Sequence, residues 1–482
     1  MSTGQRTVEA SRCPESEFLR IEESMMGRTK EHFSSLFVKV VQPGLCTRCG
    51  MCVGVCPHNV LELDDKSYPV LRGNCTSCGF CSGCCPGAEV DYPALSRQVF
   101  NGDYDGQSLE GHVENLYIAH PENREIRYAG ASGGVVTGLL DYLLAHNKID
   151  GAVVVGMDSL IPYKTRGVLA TTREEIQACA QSKYCVTPSM AVLQEVRRRK
   201  GRFAVVALPC QVHALRKLET VDPSLAKKIS YIFGLYCHCT LDVSGHEEAV
   251  QAFGIPLEDV ASFQFRGGGW PGGFFVVKKD GSEVRLHDKI LIKDVMNVMF
   301  RLYGPERCKL CIDALCEYAD LSFGDFWAFD FTADLAQHER CTLISQRTRV
   351  GKELMEEIQG SGEFTVHALP HARNSKRILR MAEGKKTRSF VGLLQRRERN
   401  RPYPFYNIEI PRQNGKGRRS VFLYALFAKI QARLFRTIVL KLLFFPVGVL
   451  AYRLNTLRKN IAKDYRAKVS KPRADNSLVL QR

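Results

Sequence analysis

Between residues 46 and 86 the chain carries eight cysteines in two copies of one spacing. These are Cys46-x2-Cys49-x2-Cys52-x3-Cys56-Pro57 and Cys75-x2-Cys78-x2-Cys81-x3-Cys85-Pro86. Two-residue spacers let successive thiolates converge on one inorganic centre. The proline after each fourth cysteine turns the chain away and removes a backbone donor. Zinc also takes CxxC pairs, but two complete runs with prolines in register are the arrangement that holds a pair of 4Fe-4S cubes. Cys84 interrupts the second run and reads as a bystander. A chain organised around two such centres moves electrons.

The 482 residues are enough for about two to four domains and a large core. Nineteen cysteines in a small secreted domain would suggest disulfides. Here they fall in metal-ligand spacings and the N-terminus has no apolar signal-type run, so a reducing cytoplasm is expected. The net charge of +16 is unevenly spread: Arg373 to the end holds 28 Lys and Arg against 5 Asp and Glu, the preceding 372 residues 39 against 46. The basicity belongs to the tail and the body is mildly acidic, which argues against a nucleic-acid-binding core.

Residues 1–40 read as a polar leader with a lone Cys13, 41–95 as the cluster module, and 96–125 as a linker. A new region over 126–372 opens with Gly130-Ala131-Ser132-Gly133-Gly134, a turn running straight into an apolar helical pattern, Val135–Leu144. Such a turn at a helix N-terminus is either a plain cap or a place where phosphate meets free N–H groups. A strand follows at Ala152–Val155, and a helix over residues 188–199 comes after Ser182-Lys183-Tyr184. Further strands lie at Phe203–Ala207, ending in Pro209-Cys210-Gln211, and at Ile229–Leu235, ending in Tyr236-Cys237-His238-Cys239. Alternating strands and helices predict an α/β sheet, which puts Cys210 and Cys237 at the carboxyl ends of strands, where such sheets bind ligands. Residues 260–286 read as antiparallel strands around Arg266-Gly267-Gly268-Gly269-Trp270. Glycines at that density let backbone approach a flat ligand, or simply make a wide hairpin loop. Cys308-x2-Cys311, Cys316, a strand at Ala319–Phe323, a last strand at Leu343–Ser345 and a helix near 351–359 complete the region.

The two cysteine runs resemble a bacterial two-cluster ferredoxin. The resemblance implies that Cys46, Cys49, Cys52 and Cys85 bind one cube, and Cys75, Cys78, Cys81 and Cys56 the other. Over roughly residues 40–350 the chain is similar to the beta subunits of coenzyme F420 hydrogenases and dehydrogenases, F420 being a deazaflavin. The pieces that carry this, in order, are Ser132-Gly133-Gly134, Ser182-Lys183-Tyr184, Pro209-Cys210-Gln211, Gly234–Cys237, Arg266–Trp270, Cys308-x2-Cys311-x-Asp313 and Ala319–Trp327. The resemblance implies an N-terminal ferredoxin-like α+β module followed by an α/β flavin-binding catalytic domain, to which the sequence adds a basic helical tail. It implies FAD, with its pyrophosphate on Ser132, Gly133 and Gly134. Ser182, Lys183 and Tyr184 would stand beside the flavin, Lys183 at its polar edge, and Arg266 and Trp270 would shape the pocket. It further implies a third 4Fe-4S cluster on Cys210, Cys237, Cys308 and Cys311, with Cys239 or Cys316 as substitutes for one of them. Cys179, Cys185 and Cys341 read as structural thiols. The expected partners are a deazaflavin or other hydride carrier and a redox partner protein or subunit. No carboxylate or histidine stands out as a catalytic acid or base.

Outside the resemblance, residues 373–420 read as a basic linker and 421–482 as a basic amphipathic tail. Lys429, Arg433 and Arg436 fall on one helical stripe, with Phe422, Leu426, Ile430, Phe435 and Ile438 largely off it. That pattern suits a helix in the interface of an anionic membrane, at the inner face of the cytoplasmic membrane, or one docked on the body or a partner subunit. Anaerobically prepared protein should carry about twelve iron atoms, and about eight if the third site holds none. Changing Cys308 and Cys311 together to Ser should remove about a third of the iron, read by iron analysis, and leave the ferredoxin module's clusters in place.

Overall fold

The computed structural model describes residues 31–286, 292–326, 340–369, 371–410, 436 and 438–441. Most of the leader, Trp327, Lys429 and Arg433 therefore lie outside the described residues.

The cysteine runs are structural as well as sequence repeats. Each contains a four-residue helix, Met51–Gly54 in the first and Phe80–Gly83 in the second. Between them β1 (Leu61–Leu63) and β2 (Pro69–Leu71) pair antiparallel. The main sheet begins with β3 (Asn115–Pro121), and continues with β4 (Gly151–Met157), β5 (Thr165–Ala170), β6 (Phe203–Ala207) and β7 (Ile229–Leu235). A separate antiparallel sheet holds β8 (Val260–Gly267), β9 (Gly273–Lys278) and β10 (Glu283–Arg285). The chain returns to the main sheet with β11 (Leu321–Asp325), β12 (Thr342–Gln346) and β13 (Phe364–Leu369).

The main sheet has the order β13-β3-β12-β11-β7-β6-β4-β5. Its centre, β11-β7-β6-β4, is parallel, and antiparallel strands finish both edges. The unbroken apolar run Ala152-Val153-Val154-Val155 in β4 fits a strand covered on both faces. Helices α1 (Val135–Ala145) and α5 (Arg349–Ser361) share one core, in which Leu139, Leu140 and Leu143 meet Leu354, Met355 and Ile358. Between them in sequence come α2 (Pro209–Val221), α3 (Val243–Ala252) and α4 (Ile292–Tyr303). Thr348 caps α5 by accepting from the Gly351 N–H.

Three expectations change. The 96–125 linker contains β3, an interior strand whose buried Leu116, Ile118 and Ala119 stand amid polar residues that hid it. Leu343–Ser345 is not the last strand, because β13 follows and pairs with β3. Most of the 373–420 linker is α6 (His371–Glu398), a 28-residue helix. It buries Ala382, Lys385, Lys386, Ser389, Phe390 and Leu393. Two lysines on the buried face made that stretch read as solvated.

The ferredoxin-like module shares a continuous core with the body, Met51 and Val55 lying in one cluster with Met190, Leu193, Val212 and Leu215. The Met190 N–H donates to the Cys49 carbonyl at 3.0 Å, and Arg197 Nη2 to the Val55 carbonyl at 3.1 Å. A side chain at Gly54 would strike the Met190 carbonyl. Across the module Arg307, 4 % exposed, donates from Nε to the Gly87 carbonyl at 2.9 Å and from Nη2 to the Pro86 carbonyl at 3.0 Å. Its Nη1 donates to the Tyr406 hydroxyl at 3.0 Å.

Of the tail stripe, Arg436 is described and it faces the body, pairing with Glu248 at 2.6 Å, while Leu440 is buried. Among the described residues no helix is long and apolar enough to cross a membrane. Arg307→Met should lower stability by about 2–4 kcal/mol, because three buried acceptors lose their donor at once. A thermal-denaturation series checks this, and an unchanged midpoint would mean that the module is held by its apolar contacts alone.

Candidate electron-transfer site

The first thiol group forms around the Met51–Gly54 helix. One cavity is lined by Cys46, Cys49, Cys52 and Cys85, the four residues expected for one cube, with Arg48 and Pro86 at its rim. Burial pushes the Cys46 thiol up to about 12, and Cys85 and Cys49 add to it. Cys52 is held well above its usual range by burial and then by Cys49, Cys46, Cys85 and Cys81. In the second group Cys81 is pushed up to about 12 by burial, with Cys78 and Cys75 beside it. Cys56 is buried, and its carbonyl accepts from Gln194 Nε2. Cys84 is fully buried. Crowded thiols that raise one another's pKa become thiolates when a positive centre sits among them, and an iron–sulfur cube supplies one. Among the described residues no three His, Cys, Asp or Glu side chains are close enough to share a single ion.

The third group is assembled from three distant segments. Cys210 lies in the first turn of α2, after β6, and Cys237 follows β7, so both stand at carboxyl ends of neighbouring parallel strands. The Cys210 thiol is raised well above its usual range by burial and then by Cys49, Cys311, Cys308 and Cys237. All four expected residues therefore stand within electrostatic reach of one another, and Cys49 of the first group stands beside them. Cys316 is fully buried within electrostatic reach of Cys237 and Cys210, and its sulfur donates to the Leu235 carbonyl at 3.1 Å. Cys239 Sγ donates to the Thr240 carbonyl at 3.2 Å, and its thiol is raised well above the usual range by Cys308 beside it and by burial.

Helix α6 covers this quartet, and sequence reasoning missed it. Lys385 Nζ donates to the Cys237 carbonyl at 2.7 Å and to the Asp313 carbonyl at 2.6 Å. Burial would strip its proton, but Cys311, Cys237, Asp313 and Cys308 outweigh that and hold it above the usual lysine range. Ser389 Oγ donates to the Cys311 carbonyl at 2.7 Å. Arg307, behind Cys308, is likewise held charged against its burial, by Tyr406, Cys311 and Cys210. The available signal was the absence of proline from Ile378 to Glu398, with the small residues Ala382, Gly384, Ser389 and Gly392 along it.

The expected flavin-pocket residues converge on Arg266, which is 5 % exposed. Its Nη2 donates to the Ala131 carbonyl at 2.8 Å, and its Nε to the Pro271 carbonyl at 2.6 Å. Its Nη1 reaches Asp325 Oδ2 at 3.1 Å and the Tyr184 hydroxyl at 3.3 Å. One guanidinium thus ties the Ser-Gly-Gly turn, the Ser182–Tyr184 segment, the glycine-rich loop carrying Trp270 and the end of β11. Gly134, at positive φ, starts α1 with no side-chain cap.

Two expected roles meet other bonds. Lys183 Nζ donates to the Cys179, Ala180 and Gln181 carbonyls at 2.7, 2.6 and 3.2 Å, so each of its three donors is matched. Reaching a flavin edge would break these bonds. The Gly133 N–H donates to Thr342 Oγ1 at 3.0 Å, and a Cβ there would fall 2.6 Å from the Arg340 carbonyl oxygen. Gly133→Asp would thus clash with backbone whether or not a phosphate binds. Ser132 Oγ is engaged by the Cys341 carbonyl at 2.9 Å.

The fold and its thiol groups define an iron–sulfur protein of α/β architecture. A 4Fe-4S binding domain matches residues 39–62. The family model "Coenzyme F420 hydrogenase/dehydrogenase, beta subunit N-term" matches residues 116–194, and the corresponding C-terminus model matches 200–372. The chain belongs to this family. It is 26 % identical to the coenzyme F420 hydrogenase subunit beta of Methanothermobacter thermautotrophicus, over 61 % of this chain and 99 % of that one. It is 27 % identical to the coenzyme F420-dependent sulfite reductase of Methanocaldococcus jannaschii, over 76 % of this chain but only 53 % of that protein. A chain of the F420-reducing nickel–iron hydrogenase complex from Methanosarcina barkeri has a similar fold, with TM-score 0.50 and 21 % identity over 62 % of this chain and 98 % of that one.

Arg266→Lys keeps the charge but replaces a planar fork by a point charge that cannot serve four acceptors. It should cost about 2–3 kcal/mol of stability in a denaturant series. A cost below about 0.5 kcal/mol would mean that these segments hold together without it.

Proposed function

We propose that this chain is an iron–sulfur flavoprotein oxidoreductase. In this reading it passes electrons between a two-electron hydride carrier, reduced coenzyme F420 being the favoured one, and a one-electron acceptor such as ferredoxin or a partner subunit. The observation that carries the proposal is that the thiol groups lie within electrostatic reach of one another, Cys49 of the first acting on Cys210 of the quartet and Cys81 of the second on Cys52 of the first.

Cys46, Cys49, Cys52 and Cys85 would hold one cluster, Cys75, Cys78, Cys81 and Cys56 the second, and Cys210, Cys237, Cys308 and Cys311 the third. FAD, when bound, supplies the exchange between paired and single electrons that clusters alone cannot make. The uncapped N-terminus of α1 offers backbone donors to a pyrophosphate. Arg266 fixes the turn, the Tyr184 segment and the Trp270 loop around it. Lys385 and Arg307 keep positive charge beside the quartet, which favours electron arrival there. The reading includes a reducing cytoplasm, with the tail in contact with a membrane face or a partner subunit.

Anaerobic purification followed by mass identification of the released cofactor should yield FAD, about one per chain. Reduced coenzyme F420 added to the oxidised protein should then be oxidised while cluster absorbance falls. Iron without flavin would instead make the chain an electron-transfer adaptor. Flavin that ignores F420 yet is reduced by ferredoxin would reverse the direction, making it a ferredoxin-fed reductase of an organic substrate.

A further inference from the structure

Helix α6 and the turn beyond it leave a cleft of about 250 Å³ between themselves and the Cys308 segment. Its wall is cationic: α6 contributes Lys385, Arg388 and Arg396, and Arg399 and Arg401 follow. Glu306 is the one carboxylate among the residues lining it, and it is already engaged by Lys309 at 2.6 Å and approached by Arg396 at 3.7 Å. Arg399 and Arg401 are exposed and form no ion pair among the described residues. Arg396 is pushed below its usual value by burial and then by Arg401. Like charges gathered on a concave wall repel one another and focus their field into the cleft, an arrangement relieved by an anion. The floor is made by Cys308, Cys239, Leu310 and Gly392, so whatever enters lies against the outer edge of the quartet.

We propose that this cleft binds a small organic polyanion bearing phosphate or carboxylate groups, held by Arg388, Arg396, Arg399 and Arg401. Guanidinium forks match both oxyanions through paired hydrogen bonds. The concavity favours a small molecule over an acidic protein surface, which would meet mainly the rim. All four arginines lie beyond residue 372, where the family match ends. The site does not depend on which way electrons flow or on flavin being bound.

The test is calorimetry on the full-length, anaerobically prepared protein at low ionic strength, with inorganic pyrophosphate and, separately, citrate as probes. One of them should bind saturably and more weakly as salt rises, and which one does so identifies the oxyanion class. The double variant Arg399→Gln, Arg401→Gln alters exposed side chains without ion-pair partners and should keep its iron content and melting temperature. It should weaken binding by about tenfold or more, since two charge-assisted contacts are lost. Arg349→Gln, an exposed cation on α5, should leave binding unchanged. Absence of saturable binding by either probe overturns the proposal, as does binding that the double variant leaves intact or Arg349→Gln weakens equally. Tight binding of a small acidic electron carrier that neither probe displaces would assign the cleft to protein docking, and also overturns it.

Discussion

The structure depends on how it offsets sulfur buried at high density. Thiolates around clusters carry negative charge into surroundings that solvate it poorly, and like-charged neighbours make matters worse. The chain answers with cations at or near the core, each bonded to carbonyls beside the cysteines. Lys217 bonds the Cys85 and Glu89 carbonyls, Arg307 the Pro86 and Gly87 carbonyls, and Lys385 the Cys237 and Asp313 carbonyls. Each also crosses a boundary between segments far apart in sequence. The groups that balance the sulfur are therefore the ones that hold the parts together. Arg266 plays the corresponding part at the glycine-rich loop, where the acceptors are carbonyls, a phenol and a carboxylate.

Much of this was legible in the sequence where function and spacing coincide. The eight ferredoxin-type cysteines stand close in the chain, so their grouping follows from local geometry. The strands Phe203–Ala207 and Ile229–Leu235 were read with the bounds that the structure gives them. Cys210 and Cys237 were placed at strand ends because apolar strands followed by Pro-Cys and Tyr-Cys are visible locally. The joining of those two with Cys308 and Cys311 came from family resemblance, since nothing local links residues about a hundred positions apart.

What stayed hidden did so for physical reasons. A lysine looks available to a ligand or to solvent until its donors are seen on carbonyls, three for Lys183 and two for Lys385. Gly133 reads in sequence as a glycine kept small for a ligand, but the backbone at Arg340 and Cys341 already leaves no space for a Cβ there. β3 was missed because an antiparallel strand can recruit partners, here β12 and β13, more than two hundred residues later.

The continuous core between the ferredoxin-like module and the body has a kinetic meaning. Where a cluster domain swings on a tether, electron flow waits on domain encounter and changes with linker length and viscosity. Here Met51 and Val55 are wedged among residues of the body, so separation would mean opening apolar packing. The spacing between redox centres is then set once, when the chain folds. In the proposed electron path, throughput would then be set by tunnelling distance and driving force and would be indifferent to solvent viscosity.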